Sequence, residues 1–261
     1  VNLKKTLFIC FGSRVIFKKE IIKQFPDYII NWHNARLPLD RGGAALTFSI
    51  LREERIYAQT AHLLSNKIDE GKIIKQYLSL YPKSAVIPAD LMKHALNETK
   101  KNYFDLISRL KKKEKFELFV QSDQISRYNP RLSTEEDGWI DWNLDSRDLI
   151  NFINAFDEPY NGASTYLNNG DFGKLYLKGV QLQGGDTSNH PFMSGIVSRH
   201  DGNWIVVCTR NKHMLVVEKV LNSKGKNILN KIKPGDRFYT PKENLSNKGR
   251  KRIFYNSFGK K

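Results

Sequence analysis

The sequence predicts an α/β fold built in two parts. Between Thr6 and Tyr81, apolar runs of strand length alternate with stretches of helical spacing. The longest helical pattern, Pro88 to Leu110, closes this first part. After Pro130 the pattern changes to one short helix and five short strand candidates separated by Gly-rich turns, the signature of a small β-barrel or open sheet.

The first strand is Thr6 to Phe11, an apolar run ended by Gly12 and Ser13. Ile16, Ile21, Ile22 and Phe25 lie at helical spacing, so a helix is expected over 16–25. Tyr28 to His33 reads as the second strand and Asn34 to Gly43 as a polar loop. Ala44 to Leu51 is helical, Gln59 to Leu64 a strand, Asn66 to Gly71 a turn and Ile73 to Tyr81 a strand. This order implies at least one parallel strand pair. In the long helix, Leu91, Ala95, Leu96, Phe104, Ile107 and Leu110 form the apolar face, with Pro88 tolerated at its start. Lys111 to Pro130 loses periodicity and reads as a linker. In the second part, Asp145 or Ser146 caps a helix to Phe156. Strands are expected at Ala163–Leu167, Lys174–Gln183, Gly195–Arg199, Trp204–Thr209 and Met214–Val220. Hairpin-type turns are expected at 168–171 and 200–203.

Composition sets bounds on function. The 261 residues are 40% hydrophobic and 27% charged, so a packed core is expected and wholesale disorder is not. There is no apolar run of about 18 residues, so no transmembrane helix and no membrane partner are expected. The first residues lack a cleavage-site pattern, which with the cysteine usage points to a cytoplasmic protein. Cys10 and Cys208 lie in apolar runs and read as core thiols. Lys and Arg number 43 against 27 Asp and Glu, a formal charge of +16. Such an excess favours anionic partners. The chain is also rich in Asn and Ile, a bias that accompanies inflated Lys content, so charge alone does not choose a partner.

Three polar features stand out. Asn31 and His33 sit at the end of a strand, where period-2 alternation puts both on one face and Trp32 on the other. Leu37-Pro38-Leu39-Asp40-Arg41-Gly42-Gly43 follows, and Asp69-Glu70-Gly71 forms a tight turn. His62 reads as a satisfied strand residue. His190, His200 and His213 fall in expected turns without ligand spacing, so no metal site is expected. Trp139 and Trp142 read as packing residues of the junction between the parts.

In combination these motifs resemble the folate-dependent formyltransferases: Asn31-x-His33, then Leu37-Pro38-x-x-Arg41-Gly42, then Asp69-x-Gly71, with Thr60-x-His62 on the strand before the Asp turn. Glu136 to Trp142, Leu149 to Phe156 and Pro159 to Ala163 resemble the start of that family's C-terminal barrel domain. The resemblance implies a partial doubly wound formyltransferase sheet followed by a small C-terminal barrel. Its expected boundaries are a catalytic part over 1–118, a linker over 119–133, the barrel over 134–236 and a basic tail over 237–261. It also implies that the stretch which in the family precedes the first strand is not present here.

By the same resemblance, the reaction is attack of a primary amine on the formyl carbon of 10-formyltetrahydrofolate, without a metal. Asn31 and His33 would donate to the developing oxyanion. His33 would carry the proton transfers, and Asp69 would orient its imidazole. Leu37, Pro38, Arg41 and Gly42 would form the loop beside the folate, although Arg41 reads better as the partner of a structural carboxylate. Gly42 and Gly43 would permit a tight turn or close backbone approach. The Arg41-Gly42-Gly43 run without a following proline is more similar to the sugar N-formyltransferases, which makes a nucleotide-linked amino sugar the expected amine. Methionyl-tRNA is the alternative substrate, favoured by the basic charge. A non-enzymatic, nucleic-acid-binding barrel is the second alternative.

Overall fold

The computed structural model describes residues 6–13, 17–25, 29–168 and 170–250, with the backbone of two short strands at 255–256 and 259–260. The starts of the helix expected from Ile16 and of the strand expected from Tyr28 lie outside the described residues, as do Asn169, Lys251 and Arg252.

The first part is a four-stranded mixed sheet. Strand β1 (Phe8–Phe11) runs parallel to β2 (Ile29–His33) after the short helix α1 (Lys19–Ile22). A two-residue strand β3 (Arg41–Gly42) and helix α2 (Ala45–Leu51) precede β4 (Ile56–Leu63) and β5 (Ile73–Leu80). The sheet order is β1-β2-β4-β5, with β2–β4 and β4–β5 antiparallel. The expected parallel pair is therefore β1–β2, and the rest of the described sheet is antiparallel rather than doubly wound. The connection from β2 to β4 contains β3 and α2, and β4 still pairs antiparallel beside β2.

Helix α3 (Pro88–Lys111) has Pro88 at its first turn and buries Leu91, Ala95, Asn102 and Leu106. It covers the sheet face that carries Ile30, Trp32, Ala61 and Ile74. Trp32 is buried there, as alternation requires. Leu96 and Phe104, expected on the apolar face, are exposed. The buried stripe runs through 91, 95, 102 and 106, and these two lie beyond its margin. The opposite face of β2 and β4 carries Asn31, His33, Thr60 and His62.

After α3 the chain does not behave as a free linker. Phe119 bridges to Ile73 on β5, and β6 (Tyr128–Asn129) pairs in parallel with β3. Pairings this short leave no periodicity in the sequence, which explains why 111–130 reads as a connector.

The second part opens with α4 (Thr134–Asp137) and α5 (Ser146–Ala155). The Asp145 carboxylate accepts from the Arg147 and Asp148 N–H groups, as expected of an N-cap. The strands are β7 (Ala163–Leu167), β8 (Leu175–Asn189), β9 (Val197–His200), β10 (Ile205–Cys208), β11 (Asn211–Asn222) and β12 (Phe238–Tyr239), followed by α6 (Lys242–Asn247), β13 (Tyr255–Asn256) and β14 (Gly259–Lys260). The large sheet has the order β12-β7-β8-β11-β10-β9. Its two outer strands meet: Val197 N–H donates to Asp236 O at 2.7 Å and Phe238 N–H to Gly195 O at 2.8 Å. Residues 238 and 239 thus belong to this sheet rather than to a tail. His200 and His213 lie in strands rather than turns.

Trp139 stacks on Tyr166 and Trp142 on Phe238, so both pack against strands of the second part. One continuous core joins the parts, with Ile50, Tyr57, Tyr81 and Leu91 packed together with Leu149, Phe152, Ile153 and Phe156 of α5. At the rim, the Glu53 carboxylate accepts from Arg147 Nη2 at 2.8 Å and from Asn151 Nδ2 at 2.7 Å. Cys208 is buried and Cys10 only half-buried; both are free thiols.

Candidate active site

Strand alternation and one tight turn bring the predicted polar residues together. Asn31 and His33 leave the same face of β2, His62 lies opposite Asn31 on β4, and the turn between β4 and β5 returns Asp69 to this face. Asp69 holds a left-handed backbone conformation, φ 55°, which its short polar side chain tolerates. Gly71 is required two residues later, because a Cβ there would collide with the Leu63 carbonyl.

The Asp69 carboxylate is the centre of the network. Its Oδ1 accepts from Asn31 Nδ2 at 3.1 Å and its Oδ2 from the Gly42 backbone N–H at 2.9 Å. His33 Nδ1 lies 3.7 Å from Oδ2, and His62 Nε2 lies 3.6 Å from Oδ1. Burial pushes the Asp69 pKa up. The nearby His62 side chain, the His33 charge and the Gly42 N–H outweigh burial and hold the carboxyl below its ordinary value.

The tautomers follow from the partners. A carbonyl only accepts, so the 2.8 Å contact between His33 Nε2 and Asp40 O requires a hydrogen on Nε2. Nδ1 is then the nitrogen free to exchange a proton, and it faces Asp69. His62 Nδ1 donates to Leu63 O at 2.9 Å, which leaves Nε2 to accept from Asn31 Nδ2 at 3.0 Å. His62 is satisfied, as expected, and is also part of the network. Both amide hydrogens of Asn31 are thus committed, one to His62 and one to Asp69. In this arrangement both N–H groups of Asn31 face side chains of the protein.

The loop residues take structural positions. Leu37 is buried, and its carbonyl accepts from Gln76 Nε2 at 3.0 Å; the peptide before Pro38 is cis. The Arg41 side chain is buried and donates to Gln121 Oε1 at 3.1 Å and Asp123 Oδ1 at 2.9 Å, with Glu70 at 3.6 Å. Arg41 pairs with carboxylates of the protein, which is the second of the two readings its sequence context allowed. With Leu37 and Arg41 only 3% and 6% exposed, neither offers much surface to a ligand. Gly42 sits at φ 94°, where a Cβ would strike the Asn129 carbonyl, and a Cβ at Gly43 would crowd Arg131. Close backbone approach is thus the reason for both glycines.

Two features escaped the sequence. Asp40 anchors the loop by accepting from Arg52, Arg127 and Asn129. Gln121, from the presumed linker, donates to the carbonyls of Asp69 and Gly71 at 2.7 Å each. Neither contact has a local signal, since Gln121 lies 52 residues from Asp69. Among the described residues, no group of three or more His, Cys, Asp or Glu is placed to hold a metal ion, and no helix is long and apolar enough to cross a membrane.

Comparison with known proteins agrees with this arrangement. Residues 132–231 match the formyl transferase C-terminal domain. The chain is 28% identical over 176 residues to the bifunctional polymyxin resistance protein ArnA of Wigglesworthia glossinidia brevipalpis, covering 64% of this chain and 25% of that protein. It is 27% identical over 211 residues to a methionyl-tRNA formyltransferase of Lactococcus lactis subsp. cremoris, covering 77% of this chain and 60% of the relative. The chain therefore spans less than two thirds of the length of each of these curated relatives. In fold it is similar to the N-formyltransferase of Helicobacter canadensis solved with folinic acid and dTDP-3-aminofucose, with a TM-score of 0.63 at 20% identity over 83% of this chain and 75% of that one. The similarity to formyltransferases therefore runs through both parts of the chain, and within it residues 132–231 match the family's C-terminal domain.

Proposed function

We propose that this chain carries the acid–base centre of an N-formyltransferase that moves a formyl group from 10-formyltetrahydrofolate to a primary amine, with a nucleotide-linked amino sugar as the amine. The observation that supports it best is the convergence of Asn31, His33 and Asp69 around one carboxylate. When bound, the folate would supply an activated formyl carbon. The donor set fits that chemistry, since acyl transfer to an amine calls for one group able to take and return a proton and no metal. His33 Nδ1 would accept the proton the amine loses and return it toward the leaving nitrogen. The Nε2 bond to Asp40 O supports Nδ1 as the nitrogen that would do this. Asp69 would stay ionised and stabilise the imidazolium, while Asn31 and Gly42 hold the carboxylate in place. The loop of Leu37, Pro38, Arg41 and Gly42 would shape the wall of the site. The closed six-stranded sheet is read as the family's small C-terminal barrel, and the first sheet as part of its doubly wound domain.

The amine assignment draws on the Gly42-Gly43 loop and on the sugar-nucleotide complex of the Helicobacter canadensis structure. A second reading, formylation of methionyl-tRNA, is favoured by the Lactococcus relative and by the charge of +16. The two differ in salt response: a tRNA substrate held by Lys and Arg loses affinity steeply as salt rises. The test measures tetrahydrofolate release from 10-formyltetrahydrofolate with amino-sugar nucleotides or methionyl-tRNA, using this chain and His33→Ala. Turnover with a sugar nucleotide alone supports the first reading, and turnover with methionyl-tRNA alone the second. His33→Ala should lose about 10²–10⁴-fold; undiminished turnover in that variant removes the mechanism.

A further inference from the structure

We propose that Gln121 is a positioning residue for the site carboxylate, acting on Asp69 from the segment that joins the two parts of the chain. The kinetic half of this proposal rests on the formyl-transfer reading of the site.

Gln121 is buried and uses both ends of its amide. Its Nε2 donates to Asp69 O and Gly71 O, gripping the turn on both sides of Glu70, and its Oε1 accepts from Arg41 Nε. Arg41 is the neighbour of Gly42, whose N–H holds Asp69 Oδ2. One side chain therefore ties the main chain of the Asp69 turn to the strand that supplies the turn's carboxylate with a donor. Asp69 also stands in a left-handed conformation, and such a conformation persists where its surroundings over-determine it. Withdrawing two donors from buried carbonyls leaves those oxygens to seek other partners, and the turn shifts to find them.

The consequence is specific to Asp69. Its carboxylate is faced by Asn31 and His33 from β2, by His62 from β4 and by the Gly42 N–H from β3, with Glu70 and Arg41 beside the turn. If the turn relaxes, the bonds from Gly42 and Asn31 lengthen, and the carboxyl loses what holds it in its ionised form.

The test uses Gln121→Met, which keeps the shape and removes all polar contacts, and Gln121→Asn, which keeps the amide and shortens its reach. The first readout is the ¹³C titration of the Asp69 carboxyl, assigned against Asp69→Asn, which needs no activity. The expected result is that Asp69 titrates at higher pH in both variants than in the unmodified chain. The second readout is kinetic: kcat falls about tenfold to a hundredfold with the donor KM within about twofold. In an Asp69→Asn background, adding Gln121→Met then changes kcat by less than about twofold, because two residues acting through one group are not additive. An unchanged Asp69 titration in the folded variants overturns the proposal. So does an equal loss of kcat from Gln121→Met with and without Asp69. If Gln121→Met does not fold, Gln121→Asn decides. If the unmodified chain shows no turnover, the formyl-transfer reading falls, and the carboxyl titration alone decides the role of Gln121.

Discussion

The Asp69 carboxylate accepts a hydrogen bond from the Gly42 backbone N–H at 2.9 Å, across 27 residues of sequence. This bond joins the two motifs that flank the site. It depends on a backbone bend at Gly42 that a side chain would obstruct.

Gly42→Ala should therefore damage both fold and site. At φ 94° an alanine is strained, and its Cβ meets the Asn129 carbonyl. A loss of about 1–3 kcal/mol is expected from the backbone conformation, with more from the collision. Urea unfolding measures it; a midpoint unchanged from the original chain would contradict this reading of Gly42.

Asp69 should make stability depend on pH in one direction. Its folded pKa is depressed below the ordinary value of 3.8. The stabilisation from its ionised form is then fully present above that value and is lost as pH falls through the folded pKa. Comparing unfolding of the chain with Asp69→Asn across acidic pH should show a gap in favour of Asp69 that narrows only below the ordinary carboxylate range. A gap that instead widens on acidification would reverse the assignment.

Asn31→Asp tests the donor network. The substitution removes both amide hydrogens that serve His62 and Asp69, and it puts a second carboxylate 3.1 Å from where the first now receives a bond. Like charges at that distance cannot both ionise comfortably, so one carboxyl pKa rises. Turnover should fall at least about a hundredfold, and Asn31→Ala should lose less. The pH–rate profile distinguishes them, since only the Asp variant gains an extra ionisation.

The contact between the two parts should respond to salt. Glu53 receives Arg147 and Asn151 at an exposed rim, and the Arg147 charge lowers the Glu53 pKa chiefly through their direct hydrogen bond. Glu53→Gln should lower the melting temperature slightly at low salt, with the difference shrinking at high salt. A salt-independent loss would assign the effect to packing of α2 on α5.

Leu106 lies fully buried between α3 and the sheet face behind the site, against Trp32 and Ile74. Leu106→Ala should cost about 2–5 kcal/mol in a denaturant titration. A much smaller loss would mean that this face collapses around the gap.

Local chemistry made much of this protein legible. Period-2 alternation placed Asn31 and His33 on one face and Trp32 on the other, and the Asp69–Gly71 turn announced itself by residue type. Asp145 marked the start of α5, and the Gly-rich spacing marked the strands of the second part. These follow from backbone geometry that a few neighbouring residues dictate. Contacts between distant segments were not legible. The direction of β4 against β2, the commitment of both Asn31 hydrogens, the burial of Arg41 among Gln121, Asp123 and Glu70, and the meeting of the outer strands at Val197 and Asp236 all join residues far apart in sequence. The segment around Gln121 shows the difference most plainly. It has no period because its residues answer to β3, β5 and the Asp69 turn rather than to one another, and only the packed chain brings those partners within hydrogen-bonding distance.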